Sequence, residues 1–188
     1  MALENLHEEK DRAWALWKIE EQEPALANEV NPFEVPPATI TNPLKRLEFL
    51  AGRVLIKTLL NHWSIPFEGL TKDEFGKPYL KNSTFHISLS HSYPYVAAII
   101  DRNIPVGIDL EQPKEKLLRI GHRVLSTSEL RDAGTDVIKH CIYWCAKESL
   151  IKIYGKKDLH LAENLQISPF SPKKEGNLIG RIIVGINE

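Results

Sequence analysis

Apolar positions recur at helical spacing over residues 43–63, where Leu47, Leu50, Ala51, Val54, Leu55, Thr58 and Leu59 fall on one side. Pro43 suits the first turn and Pro66 bars continuation beyond the other end, so a long helix is predicted there. The period then changes. Phe85, Ile87 and Leu89 alternate with His86, Ser88 and Ser90 as in a half-buried strand,. A second strand over 95–100 is apolar on both faces, and Asp101-Arg102-Asn103 turns the chain into a third over 105–111. Three strands at this spacing predict an antiparallel meander. Short helices are expected over 117–124 and 126–133, the latter with a Ser126/Glu129 capping-box pattern,. A second long helix covers 137–154, and 165–186 holds strand-like pieces such as Arg181-Ile182-Ile183-Val184. Before the first long helix the pattern is weaker. Residues 6–20 read as a weak helix through Trp14, Leu16 and Trp17, and Asn31-Pro32-Phe33 to Val35-Pro36-Pro37 is an extended connector,. No internal repeat is visible by identity, although helix-then-strands occurs twice.

Composition narrows the function classes. With 188 residues and 43% hydrophobic content the chain holds enough apolar material for a packed core,. Its 24 basic and 25 acidic residues leave a net charge of −1, so no whole-chain field draws nucleic acid or anionic lipid. The longest apolar run, Tyr95 to Ile100, is far shorter than the ~18 residues of a membrane span,. The amino terminus carries acids and a lysine where a secretory signal has an apolar core, and a cytoplasmic protein is expected,. Cys141 and Cys145, four apart, suit helix packing in a reducing compartment and lack the further ligands of a zinc site,.

Three groups of polar residues are candidates for chemistry. In Val106-Gly107-Ile108-Asp109-Leu110-Glu111 the two-residue period puts both carboxylates on one face, with Cα atoms ~6.6 Å apart,. They are either two solvated acids or a pair able to share one hard cation. On the second long helix Cys141, Cys145, Glu148 and Lys152 fall within about 60° of one another, which sets a carboxylate and an ammonium on a face the cysteines mark as core-directed,. Glu148 therefore pairs with Lys152 or faces a cation or an anionic ligand. The third group is basic: Lys45, Arg46, Arg53 and Lys57, then Lys72 and Lys77, then His91 between Ser90 and Ser92. It reads either as a solvated face with a backbone-satisfied histidine or as a set of donors to phosphate.

Taken together, five stretches in this order resemble a 4′-phosphopantetheinyl transferase of the larger, two-lobed, surfactin-synthetase-activating type. They are Lys45-Arg46 with Glu48-Phe49-Leu50-Ala51-Gly52-Arg53; Gly76-Lys77-Pro78; Phe85-His86-Ile87-Ser88-Leu89-Ser90-His91-Ser92; Val106-Gly107-Ile108-Asp109-Leu110-Glu111; and Trp144-Cys145-Ala146-Lys147-Glu148-Ser149-Leu150-Ile151-Lys152. The resemblance implies an α+β fold of two pseudo-symmetric lobes, each a long helix packed on a small, mainly antiparallel sheet, with the site in the cleft between them. The expected division is a segment 1–42, an N-terminal lobe 43–102 and a C-terminal lobe 103–188. The third strand and second long helix are assigned to the later lobe, which is expected to be small or incomplete.

The implied reaction moves phosphopantetheine from coenzyme A to a serine of an acyl or peptidyl carrier protein and releases 3′,5′-ADP. The resemblance assigns magnesium to Asp109, Glu111 and Glu148, general-base duty to Glu148, and the diphosphate and departing phosphate to Lys152. It assigns the nucleotide phosphates to Lys77, Ser90 and His91, with Arg46, Arg53 and Lys72 as further contacts. It also implies a monomer, with neither nucleic acid nor membrane as partner. The alternatives are a non-catalytic relative that binds coenzyme A or a carrier protein, and a metal-dependent nucleotide hydrolase.

Overall fold

A computed structural model describes residues 2–156 and 158–185. Ile186, where the strand-like tail is expected to end, lies outside the described residues. The chain is α+β and divides into two compact units, residues 1–110 and 111–188.

The first unit is built on a four-stranded antiparallel sheet. β1 (Ala2–Glu8) and β2 (Arg12–Lys18) form a hairpin, and β5 (His86–Ser92) pairs with β6 (Tyr95–Asp101), giving the order β1-β2-β6-β5. The long helix α2 (Pro43–His62) packs on β6, β2 and β5, and the short helix α1 (Glu23–Val30) packs on α2. The core between them joins Ala13, Ala15 and Trp17 of β2 to Leu50, Val54, Leu55 and Leu59 of α2 and to Ile87, Ala98 and Ile100 of the sheet. Asn42 fixes the start of α2 by accepting from the amides of Leu44 and Lys45, with Pro43 in the first turn,. A small hairpin of β3 (Leu70–Lys72) and β4 (Pro78–Leu80) turns through Gly76 at φ +90°, a conformation glycine adopts without strain.

In the second unit α3 (Lys116–Val124) and α4 (Thr127–Ala133) pack on α5 (Val137–Tyr154). α6 (Leu161–Asn164) leads into β7 (Leu165–Ile167), which pairs antiparallel with β8 (Gly180–Ile182) against α5. The capping box at Ser126 and Glu129 is present. Asp136 caps α5, and Gly155 ends it in the left-handed region,.

Three expectations need correction. Residues 6–20 hold the end of β1, a turn and β2 in place of a helix, and β2 buries alternate positions 13, 15 and 17. Two of those positions are alanine, a strong helix former, so the buried stripe is hidden, while Trp14 from the other face stands three residues before Trp17 and mimics helical spacing,. Residues 105–111 form no strand. Both edges of β6 are already taken, by β2 and β5, and the amides of Ile108 and Leu110 donate instead to the side-chain oxygens of Ser88 and Ser90, at 3.1 and 3.2 Å. Finally, α5 buries His140, Cys141, Tyr143 and Lys147. Its core face is turned about a third of a revolution from the Cys145–Glu148–Lys152 side, whose residues are half-buried.

Candidate functional site

The first unit holds a cavity of about 540 Å³ between one end of α2, the 39–42 loop, the β3–β4 hairpin and β5. α2 contributes Lys45, Glu48, Phe49, Gly52 and Arg53; the hairpin contributes Lys72, Gly76 and Pro78; β5 contributes Leu89, Ser90 and His91. Of the residues assigned to the nucleotide phosphates, Arg53, Lys72, Ser90 and His91 therefore line one cavity. Arg46 and Lys77 are not part of that lining.

Each basic residue of α2 has an acidic partner. Arg46 takes Glu23 in a fork, its Nε 2.9 Å from both carboxylate oxygens, and this pairing holds the Glu23 carboxyl below its usual range,. Lys57 reaches Glu29 at 3.1 Å. Arg53 donates to Glu34 at 3.1 Å and to the Phe49 carbonyl at 3.1 Å, and its guanidinium lies 3.4 Å over the Phe49 ring. Burial pushes the Arg53 guanidinium below its ordinary range, against the pull of Glu34,. The basic helix face is thus tied to the 23–34 segment, and Arg53 both belongs to an ion pair and lines the cavity.

At the hairpin, Asp73 receives the amides of Phe75 and Lys77, each at 2.9 Å, which fixes the Gly76-Lys77-Pro78 turn. Burial lowers the Lys77 ammonium and Asp73 opposes that shift. On β5 the side chains alternate. Ser90 is buried and donates to Asp109 at 2.7 Å. His91, about half exposed, lies on the opposite face with its Nδ1 3.2 Å from Glu48 Oε2. Sequence reasoning missed Glu48. The available signal was its spacing: it stands three, four and seven residues before Ala51, Gly52 and Leu55, an acid within an apolar stripe.

In the second unit, Glu111 receives Lys116 at 3.1 Å and the amide of Gln112 at 2.8 Å, while its own carbonyl lies 3.4 Å from the Cys141 thiol. Glu148 and Lys152 are half-buried on α5. The fully buried cation of this helix is Lys147, whose Nζ sits 2.6 Å from Glu129 and donates to the carbonyls of Val124 and Leu161. Burial pushes its pKa down and Glu129 pulls it up.

Among the described residues no three His, Cys, Asp or Glu side chains gather to hold a metal ion. By donor chemistry, Asp109, Glu111 and Glu148 supply only carboxylate oxygen, which fits magnesium. No helix among the described residues is long and apolar enough to cross a membrane.

The sequence pattern of the 4′-phosphopantetheinyl transferase superfamily matches residues 105–183. 4′-Phosphopantetheinyl transferase psf-1 of Bacillus pumilus is 34% identical over 116 residues, 57% of this chain and 49% of that protein. 4′-Phosphopantetheinyl transferase Sfp of Bacillus subtilis (strain 168) is 31% identical over 118 residues, 57% of this chain and 51% of that protein. The chain thus spans about half the length of these curated relatives. With the resemblance in the earlier stretches and a match through the Asp109 and Glu148 segments, the chain is similar to the 4′-phosphopantetheinyl transferase superfamily, and within it to the Sfp-like proteins named above.

Proposed function

We propose that this protein transfers 4′-phosphopantetheine from coenzyme A to a serine of an acyl or peptidyl carrier protein, with magnesium, releasing 3′,5′-ADP. The observation that carries the reading is the 2.7 Å bond from Ser90 to Asp109. It joins a wall of the cationic cavity to the first of the three acids assigned to the metal. The names of the relatives, all phosphopantetheinyl transferases, supply the reaction class.

In this reading Arg53, Lys72, Ser90 and His91 hold the nucleotide phosphates, with Lys77 and Arg46 as outlying contacts. Asp109, Glu111 and Glu148 would hold magnesium, and the ion would supply neutralisation of charge on the diphosphate. The carrier serine oxygen forms a bond to the pantetheine-bearing phosphorus. The bond from that phosphorus to the bridging oxygen breaks, and 3′,5′-ADP leaves with the bonding pair. Glu148 takes the serine proton, and Lys152 meets the charge that develops on the departing phosphate. The two units correspond to pseudo-symmetric lobes, since each packs a long helix on antiparallel strands: α2 on the four-stranded sheet, α5 on β7 and β8. A cytoplasmic monomer acting on neither nucleic acid nor membrane completes the proposal.

The test incubates the chain with coenzyme A, magnesium and a panel of unmodified carrier proteins, and reads the mass gained by the acceptor. Asp109→Asn keeps an acceptor for Ser90 but removes the charge. Losing one strong electrostatic contact of ~2–4 kcal/mol lowers the rate on the order of a hundredfold or more. Undiminished turnover of the variant in chelator overturns the metal assignment. Release of phosphopantetheine without an acceptor points to the hydrolase.

A further inference from the structure

Glu48 is 3% exposed, yet three polar groups from different parts of the first unit converge on it. Lys45 Nζ lies 2.6 Å from Oε2. His91 Nδ1 lies 3.2 Å from the same oxygen, and the amide of Tyr93 donates to Oε1 at 3.1 Å. A buried carboxylate is expensive without such partners. Two of the three, Lys45 and His91, have side chains 57% and 48% exposed, and both line the cavity together with Glu48.

We infer that Glu48 is a positioning residue, a buried carboxylate that orients His91 and Lys45 so that they meet a phosphate-bearing ligand in the cavity. Identifying that ligand as coenzyme A rests on the transferase reading above. A nitrogen 3.2 Å from a carboxylate oxygen must carry the hydrogen, since two acceptors at that distance repel,. The contact therefore sets both the tautomer and the plane of the His91 ring. The Lys45 stem has several rotatable bonds, and its contact with Oε2 selects among their settings,. Side chains ordered before the ligand arrives lose less entropy when it binds.

The sign of one effect separates positioning from a plain field effect. A negative charge beside a phosphate site opposes anion binding, so on charge alone Glu48→Gln tightens binding. Positioning requires the reverse.

Coenzyme A is titrated calorimetrically into the full chain as wild type, Glu48→Gln, His91→Ala and the double variant, each with its thermal melt. Glutamine has nearly the same shape, and its amide oxygen still accepts from Tyr93. The expected result is that Glu48→Gln weakens binding about tenfold, the size of one lost charge-assisted hydrogen bond. On the His91→Ala background the same change has a smaller effect, because Glu48 acts partly through that ring. Equal or tighter binding by Glu48→Gln overturns the inference, as does an effect that multiplies independently with His91→Ala. A second measurement covers a variant that fails to fold. Nitrogen-resolved NMR of the ligand-free wild type, at a pH where the ring is neutral, should place the His91 hydrogen on Nδ1, and a hydrogen on Nε2 overturns the hold by Glu48. A wild type that takes no coenzyme A sinks the transferase reading instead, while the ring spectrum still decides whether Glu48 governs His91.

Discussion

Glu48 in the first unit and Glu129 in the second are each 3% exposed, and each has a lysine nitrogen 2.6 Å away. Their surroundings differ. Glu129 receives Lys147, which is itself 0% exposed, together with the amides of Ser126 at 2.7 Å and Ile167 at 2.8 Å. Lys147 also donates to the Val124 and Leu161 carbonyls, so this ion pair ties α4, α5, β7 and the residues at the end of α3 and at the start of α6 into one unit. Glu48 instead holds two groups that are about half in solvent and that border a cavity. Burial of a carboxylate thus says little about its use until its partners are traced to where they end. A pair whose partners end inside the core is architecture, and one whose partners end at a surface can govern what binds there.

The sharpest way to break this contrast is Lys147→Met, which leaves Glu129 buried without a cation. Removing one member of a buried pair destabilises by about 3–5 kcal/mol, and urea denaturation should show a loss of that size. A loss below ~1 kcal/mol would show that Glu129 is no more dependent on its lysine than a surface acid. Lys45→Met is the matched change in the first unit. The Lys45 side chain is 57% exposed, and His91 and the Tyr93 amide remain on Glu48, so only ~0–1 kcal/mol should be lost. Equal losses for the two lysines would erase the distinction.

A third buried carboxylate, Asp101, sharpens the comparison through pH. Burial alone would raise its pKa, but the amides of Asn103 and Ile104 and the Arg12 guanidinium outweigh that and hold it below the usual carboxylate range. A folded-state value below the unfolded one of ~3.9 gives stability that is fully present above the unfolded value and is lost as pH falls through the folded one. The destabilisation caused by Asp101→Asn should therefore shrink as pH is lowered through that range. A constant difference from neutral to strongly acid solution would contradict the assignment. This effect is read as a change of slope with pH.

The parts legible in the sequence are those decided locally. α5 has the expected bounds, because Asp136 and Gly155 punctuate it, and α2 ends one residue short of the expected 63. The capping box at Ser126 needs only residues three apart. The parts that escape a reading of the sequence depend on distant choices. Whether 105–111 joins a ladder depends on whether β6 has an edge to offer, and β2 takes that edge from the far end of the unit. Which face of α5 is buried depends on where β7 and α3 lie, which the two cysteines could not report. In the candidate site, Ser90, His91, Arg53 and Lys72 are legible as donor chemistry, and all four line the cavity. The acids that tie down the basic helix, Glu23, Glu29 and Glu34, stand 19 to 28 residues from their partners and carry no local signal.

A ladder strand is anonymous: its neighbour offers backbone groups that every residue except proline carries, so either strand can drift in sequence without consulting the other. The 105–110 stretch is addressed by name instead, since two of its amides are received by the hydroxyls of Ser88 and Ser90. Inheritance at those serines is therefore constrained from twenty residues downstream. A replacement without a side-chain acceptor forfeits an attachment of the strap that carries Asp109, so the two serine positions are held to residues with such an acceptor, while positions 108 and 110 can change to anything but proline without losing it,.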